Sequence, residues 1–147
     1  MAGECPEIIL ADDEPMFQMI IADAVTKAGV PEDKIHTVDD GSDALETLDQ
    51  LLPKAEQGIP ILMLLDNMMP CMNGEDCARQ VSEEVEAGTR KYKPYMVCFS
   101  ADLRKVLDVK DEDGKGFFQT AMEKNFEPSE FAEVVEKCKK WWASRYG

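Results

Sequence analysis

The chain has 147 residues, 44% of them apolar, which suits one compact core and leaves no room for a second domain; residues 1–147 are read as one domain with its core at about 7–143. Sixteen basic against thirty acidic residues give a net charge of −14, which would repel a phosphate backbone and argues against nucleic-acid binding. The longest apolar run, 59–65, is broken by Pro60 and falls far short of the roughly 20 residues of a membrane span; Glu4, Pro6 and Glu7 stand where a signal peptide would need a basic flank and an apolar stretch, so a cytoplasmic protein is expected.

Short apolar runs alternate with stretches of helical period, the signature of a parallel sheet covered by helices on both faces. Strand one is expected at 8–11. Phe17, Ile20, Ile21, Ala24, Val25 and Ala28 then repeat at helical spacing up to Gly29, and strand two follows at 34–38. Ser42 is expected to cap a second helix marked by Leu45, Leu48 and Leu52, and the connection 53–60 reads as a surface insertion. Strand three is expected at 61–65. A third helix carries Cys77, Ala78, Val81 and Val85 and stops near Gly88, a second insertion covers 88–94, and strand four spans 95–99. Leu103, Val106 and Leu107 suggest a short fourth helix, 117–122 a fifth strand, and Phe131, Val134, Val135, Cys138 and Trp142 one stripe of a last helix after Pro128. The order is (βα)5, a three-layer doubly wound α/β fold with a five-stranded parallel sheet.

The five cysteines form no CxxC pair and lie away in sequence from the one histidine, His36, so neither a zinc site nor a disulfide framework is expected. Cys98 and Cys138 fall on apolar patterns and read as small core residues. His36 reads as a packed strand residue. The basic clusters 90–93 and 137–140 read as solvated faces.

In an open parallel sheet, functional groups gather at the carboxyl ends of the strands, where strand order reverses. Strand one runs into Asp12-Asp13-Glu14, strand three into Asp66, strand four into Ser100 and strand five into Lys124. Carboxylates about 4 Å apart repel by roughly 4 kcal/mol at an effective dielectric of 20, so such a group calls for a cation. A hard divalent ion with oxygen ligands answers that need, and Mg²⁺ is the usual one where phosphate is handled. Lys124 and Ser100 would then supply donors to phosphoryl oxygens, and Asp66, ionised at neutral pH, becomes a nucleophile that forms an acyl phosphate.

The run Asp66-Asn67-Met68-Met69-Pro70-Cys71-Met72-Asn73-Gly74 resembles the D-x-x-M-P-x-M-x-G motif of response-regulator receiver domains of two-component phosphorelays. Residues 8–13 are similar to the first strand of that family with its acidic pair, Cys98-Phe99-Ser100-Ala101 to its fourth strand, and Lys124 to the lysine after strand five. The resemblance implies the flavodoxin-like fold and Asp66 as phosphoacceptor. It also implies a Mg²⁺ ion held directly by Asp13, Asp66 and the backbone carbonyl of Met68, and through water by Asp12. Ser100 and Lys124 would contact the phosphoryl group, with Ala101 leaving space for it; Met68 and Asp102 would tune its lifetime. The donor would be a phosphohistidine on a histidine kinase or histidine phosphotransfer protein, and output would pass by protein contact. Such a domain catalyses its own phosphorylation and the hydrolysis of its acyl phosphate, as a signalling protein rather than a turnover enzyme.

Three departures stand out, one being that the insertions lengthen the intervals from Asp13 to Asp66 and from Asp66 to Ser100, in a way that resembles receivers attached to hybrid kinases. Lys124 is followed by Asn125 where the family usually has proline, and Ala121 occupies the switch position where an aromatic ring usually changes rotamer. Rival readings lack a needed residue. An aspartyl-phosphate hydrolase of the haloacid dehalogenase kind wants an aspartate at 68, where Met68 stands; a flavodoxin wants a neutral phosphate loop in place of Asp12-Asp13-Glu14; an EF-hand beginning at Asp111 has lysine at its fifth position and Met122 at its twelfth. The remaining alternative is a receiver-fold interaction module without phosphotransfer.

Overall fold

A computed structural model describes residues 4–66, 69, 71–100, 118–123 and 126–146, with Ser100 described through its backbone. Five parallel strands form one sheet: β1 (Glu7–Ala11), β2 (Ile35–Val38), β3 (Ile61–Asp66), β4 (Tyr95–Ser100) and β5 (Thr120–Glu123), in the order β2-β1-β3-β4-β5. The helices are α1 (Pro15–Lys27), α2 (Gly41–Gln50), the short α3 (Leu52–Glu56), α4 (Gly74–Glu86) and α5 (Pro128–Tyr146). None of the described helices is long and apolar enough to cross a membrane.

The strands read as continuous apolar runs because both faces of the sheet are covered. Alternate residues feed two cores. Ile9, Ala11, Met63, Leu65, Met96 and Cys98 pack in one cluster with Ala44, Leu45 and Leu48 of α2 and Cys77, Ala78 and Val81 of α4. Ile8, Leu10, Leu62, Leu64, Val97 and Phe99 pack in the other with Ile21, Ala24 and Val25 of α1 and Phe131, Val134 and Val135 of α5. All six residues of β3 are buried, and each large apolar side chain there stabilises the fold by roughly 1.5–3 kcal/mol. The thiols of Cys77, Cys98 and Cys138 are pushed up to about 12, by burial before any other cause, and they serve as inert packing.

The first four strands lie within one residue of their expected limits. The fifth starts later, at Thr120, because the Gln119 side-chain carbonyl, and not a backbone carbonyl, accepts the Met96 amide at 2.6 Å. The expected fourth helix around Leu103 and residue 117 of the expected fifth strand lie outside the described residues. The connection 53–60 holds most of α3: Pro53 is tolerated in a first helical turn, and Ala55 is buried in the same core cluster as residues of α2 and α4. The second insertion is tied down by Arg90, whose guanidinium reaches Asp49 at 2.9 Å and Glu84 at 2.9 Å.

Ser42 is not the cap of α2. Asp40, extended at φ −153° and ψ 161°, holds that position, and its carboxylate accepts from the Ser42 amide at 3.0 Å and hydroxyl at 2.8 Å. The same carboxylate accepts the amides of Cys71 (3.0 Å) and Met72 (3.0 Å), so one buried side chain ties the loop after β3 to the start of α2. Burial alone would raise the Asp40 pKa, but hydrogen bonds from the Met72 amide, the Ser42 amide and hydroxyl and the Cys71 amide outweigh it and bring it from the ordinary 3.8 to about 2.

A carboxyl group whose pKa falls on folding adds stability that is complete above the unfolded value and is lost as pH drops through the folded one. Asp40 should therefore account for a loss on the order of 1–2 kcal/mol between about pH 4 and pH 2, allowing for solvent screening at the loop. Urea unfolding followed by circular dichroism across that range should show a flatter acid limb for Asp40→Asn than for the wild type. Parallel limbs would show that the carboxylate is not held in this way.

Candidate functional site

The sheet reverses direction between β1 and β3: β2 lies on one side of β1, and β3, β4 and β5 follow on the other. A crevice opens at the carboxyl ends of strands at such a point. Ala11 is in register with Leu65, so the next residues, Asp12 and Asp66, end neighbouring strands side by side. Asp13 is one residue further along. One carboxylate oxygen from each of Asp12, Asp13 and Asp66 lies within 4.8 Å of the others; Asp12 and Asp66 are buried and Asp13 is exposed.

Local structure holds Asp12 in place. Its Oδ1 accepts the Glu14 amide at 2.9 Å, its own amide donates to the Val38 carbonyl at 3.1 Å, and the Gln18 side-chain amide donates to its carbonyl while also reaching the Val38 carbonyl at 3.1 Å. Pro15 opens α1 immediately afterwards, so the positive end of that helix dipole faces the acidic cluster and favours its charge. Behind Asp66, Cys98 is raised to about 12 by burial first and by the Asp66 and Glu75 charges after it. Three oxygen donors of like charge, without a nitrogen or sulfur ligand among them, fit a hard divalent cation such as Mg²⁺.

The structure thus brings together three of the expected site residues, Asp12, Asp13 and Asp66. Ser100 ends β4, one residue beyond Phe99, the register partner of Asp66, and it is itself in register with Glu123 at the end of β5. Met68, Ala101, Asp102, Lys124 and Asn125 lie outside the described residues. Ala121, in register with Cys98, is half-buried against the core on the α2 and α4 side of the sheet. Phe126, two residues past Lys124 in sequence, packs edge-on against Phe131 (4.7 Å between centroids) and Phe17 (6.2 Å), which ties this end of the sheet to α1 and α5. His36 sits against the buried Glu7, Nε2 to Oε1 3.0 Å, as a packed residue.

A cavity of about 480 Å³ lies at the opposite end of the sheet, bounded by Leu48, Leu52, Ile61, Arg90, Tyr92 and Trp142. The half-buried Arg90 on its wall is already paired with two carboxylates. The acidic edge, by contrast, gathers three carboxylate oxygens within 4.8 Å of one another. Two residues that shape that edge, Gln18 and Asp40, carry no site motif in the sequence. The Asp40-Gly41 pair before a helical pattern was the available signal for the second; nothing in the sequence marked the first.

Compared by sequence, the chain matches no protein-family model and no curated protein. Compared by structure, it is similar to the signal receiver domain of NarL from Mycobacterium tuberculosis, with 23% identity, a TM-score of 0.67, and coverage of 94% of this chain and 98% of that one. It is also similar to the response regulator protein TrrA from Thermotoga maritima in complex with Mg²⁺-BeF, with 20% identity, a TM-score of 0.68, and coverage of 90% and 98%. The chemotaxis protein CheY4 of Vibrio cholerae matches at 15% identity, a TM-score of 0.64, and coverage of 92% and 99%. With its five-stranded parallel sheet in the order β2-β1-β3-β4-β5 and helices on both faces, the chain has the CheY-like, flavodoxin-like fold of response-regulator receiver domains.

Proposed function

We propose that the chain is a phosphoacceptor receiver domain, one unit over 1–147, that takes a phosphoryl group onto Asp66 with Mg²⁺ bound beside it. The observation that carries this reading is the convergence of the Asp12, Asp13 and Asp66 carboxylate oxygens at the point where the sheet reverses. The TrrA likeness supports the choice of ion, since that protein is described with Mg²⁺ and a beryllofluoride. The partners are a histidine kinase or histidine phosphotransfer protein as donor and a protein that reads the phosphorylated face; the compartment is the cytoplasm.

In the transfer, a carboxylate oxygen of Asp66 forms a bond to phosphorus as the bond from phosphorus to the donor imidazole nitrogen breaks, and the departing imidazole takes up a proton. Asp13, Asp66 and the Met68 carbonyl would hold the ion, and Asp12 would orient a water on it. When bound, Mg²⁺ supplies positive charge that offsets the crowded carboxylates and the incoming phosphoryl oxygens. Ser100 and Lys124 donate to those oxygens, and Ala101 leaves room for them. Met68 and Asp102 would tune the hydrolysis of the acyl phosphate by water. Ala121 stands at the switch position without a ring to move, so the readout must pass through the backbone after β4 or through a neighbouring ring such as Phe126, whose contacts with Phe17 and Phe131 reach α1 and α5.

Acetyl phosphate with Mg²⁺ should add one phosphoryl group, detected by intact mass, and Asp66→Ala should abolish it; labelling that persists in the variant would remove the central claim. Mg²⁺ titrations followed by amide shifts should weaken more in Asp13→Ala than in Asp12→Ala, because a direct ligand is lost in the first and a water-mediated one in the second, and equal affinity in Asp13→Ala and wild type would place the ion elsewhere. Beryllofluoride should shift amides at 68–72 and 100–105 more than those around Ala121, since losing one differential contact weakens coupling to that strand. Shifts on β5 and α5 as large as those beside Asp66 would contradict this.

A further inference from the structure

We infer that Asp40 is a positioning residue for the phosphoacceptor site, acting through the backbone of the loop that leaves Asp66. The inference rests on the reading of Asp66 as Mg²⁺ ligand and phosphoacceptor given above.

The chain leaves β3 at Asp66 and must enter α4 at Gly74. That return is tight: a Cβ on Gly74 would lie 2.6 Å from the Asp66 carbonyl oxygen. Its middle is held by α2 in both directions. Asp40 Oδ1 accepts the Cys71 amide at 3.0 Å and the Met72 amide at 3.0 Å, while the Gly41 amide donates to the Met72 carbonyl at 3.0 Å. A Cβ on Gly41 would meet that same carbonyl oxygen at 2.6 Å, so the two backbones approach as closely as they do only because position 41 has no side chain.

Four donors therefore converge on one carboxylate: the Ser42 amide and hydroxyl and the amides of Cys71 and Met72. An ionised carboxylate offers about four lone-pair sites and no donor of its own, whereas an asparagine would turn an NH₂ toward part of the group. The carboxylate is buried and its hydrogen bonds are partly so, so its removal takes from each donor a charge-assisted bond in a partly desolvated setting. With Asp66 fixed by the β3 ladder and Cys71 and Met72 fixed by Asp40, both ends of the intervening segment are set. That segment includes Met68, whose carbonyl the reading above assigns to the ion. A helix cap alone would need only the Ser42 contact; the two loop amides are the part that reaches the site.

Asp40→Ser separates the two roles. Serine still caps α2, but its side chain is one bond shorter and gives up the second oxygen, so the loop amides are released. Two measurements on the full chain follow: amide exchange of Cys71 and Met72 without metal, and Mg²⁺ affinity from amide shifts near Asp66. Asp40→Ser should exchange faster at both amides and bind Mg²⁺ about tenfold or more weakly, the size typical of losing a residue that orients a ligand. Val135→Ala, a core change on α5, gives a destabilised reference in which neither readout should move beyond what its loss of stability explains. Gly41→Ala attacks the same contact from its other partner and should reproduce the Asp40→Ser pattern, which keeps the test open if that variant does not fold. Asp40→Ser or Gly41→Ala binding Mg²⁺ as wild type does would overturn the inference and leave the proposed function standing. Wild type that binds no Mg²⁺ at Asp66 would overturn the proposed function, and the positioning role with it, before any variant is compared.

Discussion

Three carboxylate oxygens within 4.8 Å of one another set the terms for everything at the functional edge of this protein. Two of the side chains are buried, where like charges repel more strongly than in water, by roughly 4 kcal/mol a pair at about 4 Å and an effective dielectric of 20. Folding does not relieve that repulsion; it creates it, by bringing the ends of β1 and β3 side by side. The cost is borne by the rest of the molecule, chiefly by a sheet whose central strand is buried along its whole length between two apolar layers. The N-terminus of α1 offsets part of it directly, and a divalent cation would offset more.

That arrangement requires the backbone around the carboxylates to be stiff, because repelling groups on a slack loop would move apart. The two buried acids are held by different devices. Asp12 follows the strand ladder and accepts the Glu14 amide, with Gln18 clamping its carbonyl to the end of β2. Asp66 is the last residue of β3 and still in register with Phe99. Past it, the chain is caught by Asp40 and Gly41 and has no room for a Cβ at Gly74. Asp40 is also acidic and buried, and the four donors around its carboxylate bring its pKa down.

The strands and the acidic edge were legible in the sequence because each depends on one-dimensional patterns: a short apolar run marks a strand covered on both faces, and the residue after the run marks the carboxyl end. Asp12, Asp13 and Asp66 came together for that reason. Asp40 was not legible in the same way. Serine and aspartate are equally good caps, and Ser42 stood nearer the apolar repeat of α2; the deciding contacts come from Cys71 and Met72, some thirty residues away. The helix α3 was hidden by Pro53 and Gly58, which read as loop residues even though proline is at home in a first turn. The late start of β5 depends on one side-chain carbonyl, that of Gln119, taking the place of a backbone group.

The two ends of the sheet also differ in what their charges can still do. At the far end the Arg90 guanidinium is shared between Asp49 and Glu84, and Tyr92 stacks on Trp142 with 5.8 Å between ring centroids, so charge and aromatic surface are already matched within the chain. That end holds a cavity of about 480 Å³, and volume alone would point to it as a site. At the carboxyl end one oxygen from each of three carboxylates lies within 4.8 Å of the others, a set of hard oxygen donors that fits a divalent cation and, through it, a phosphoryl group. A site is better recognised by donor chemistry gathered at a fixed geometry than by volume, and in this fold the oxygen donors gather at the crevice where β1 and β3 part.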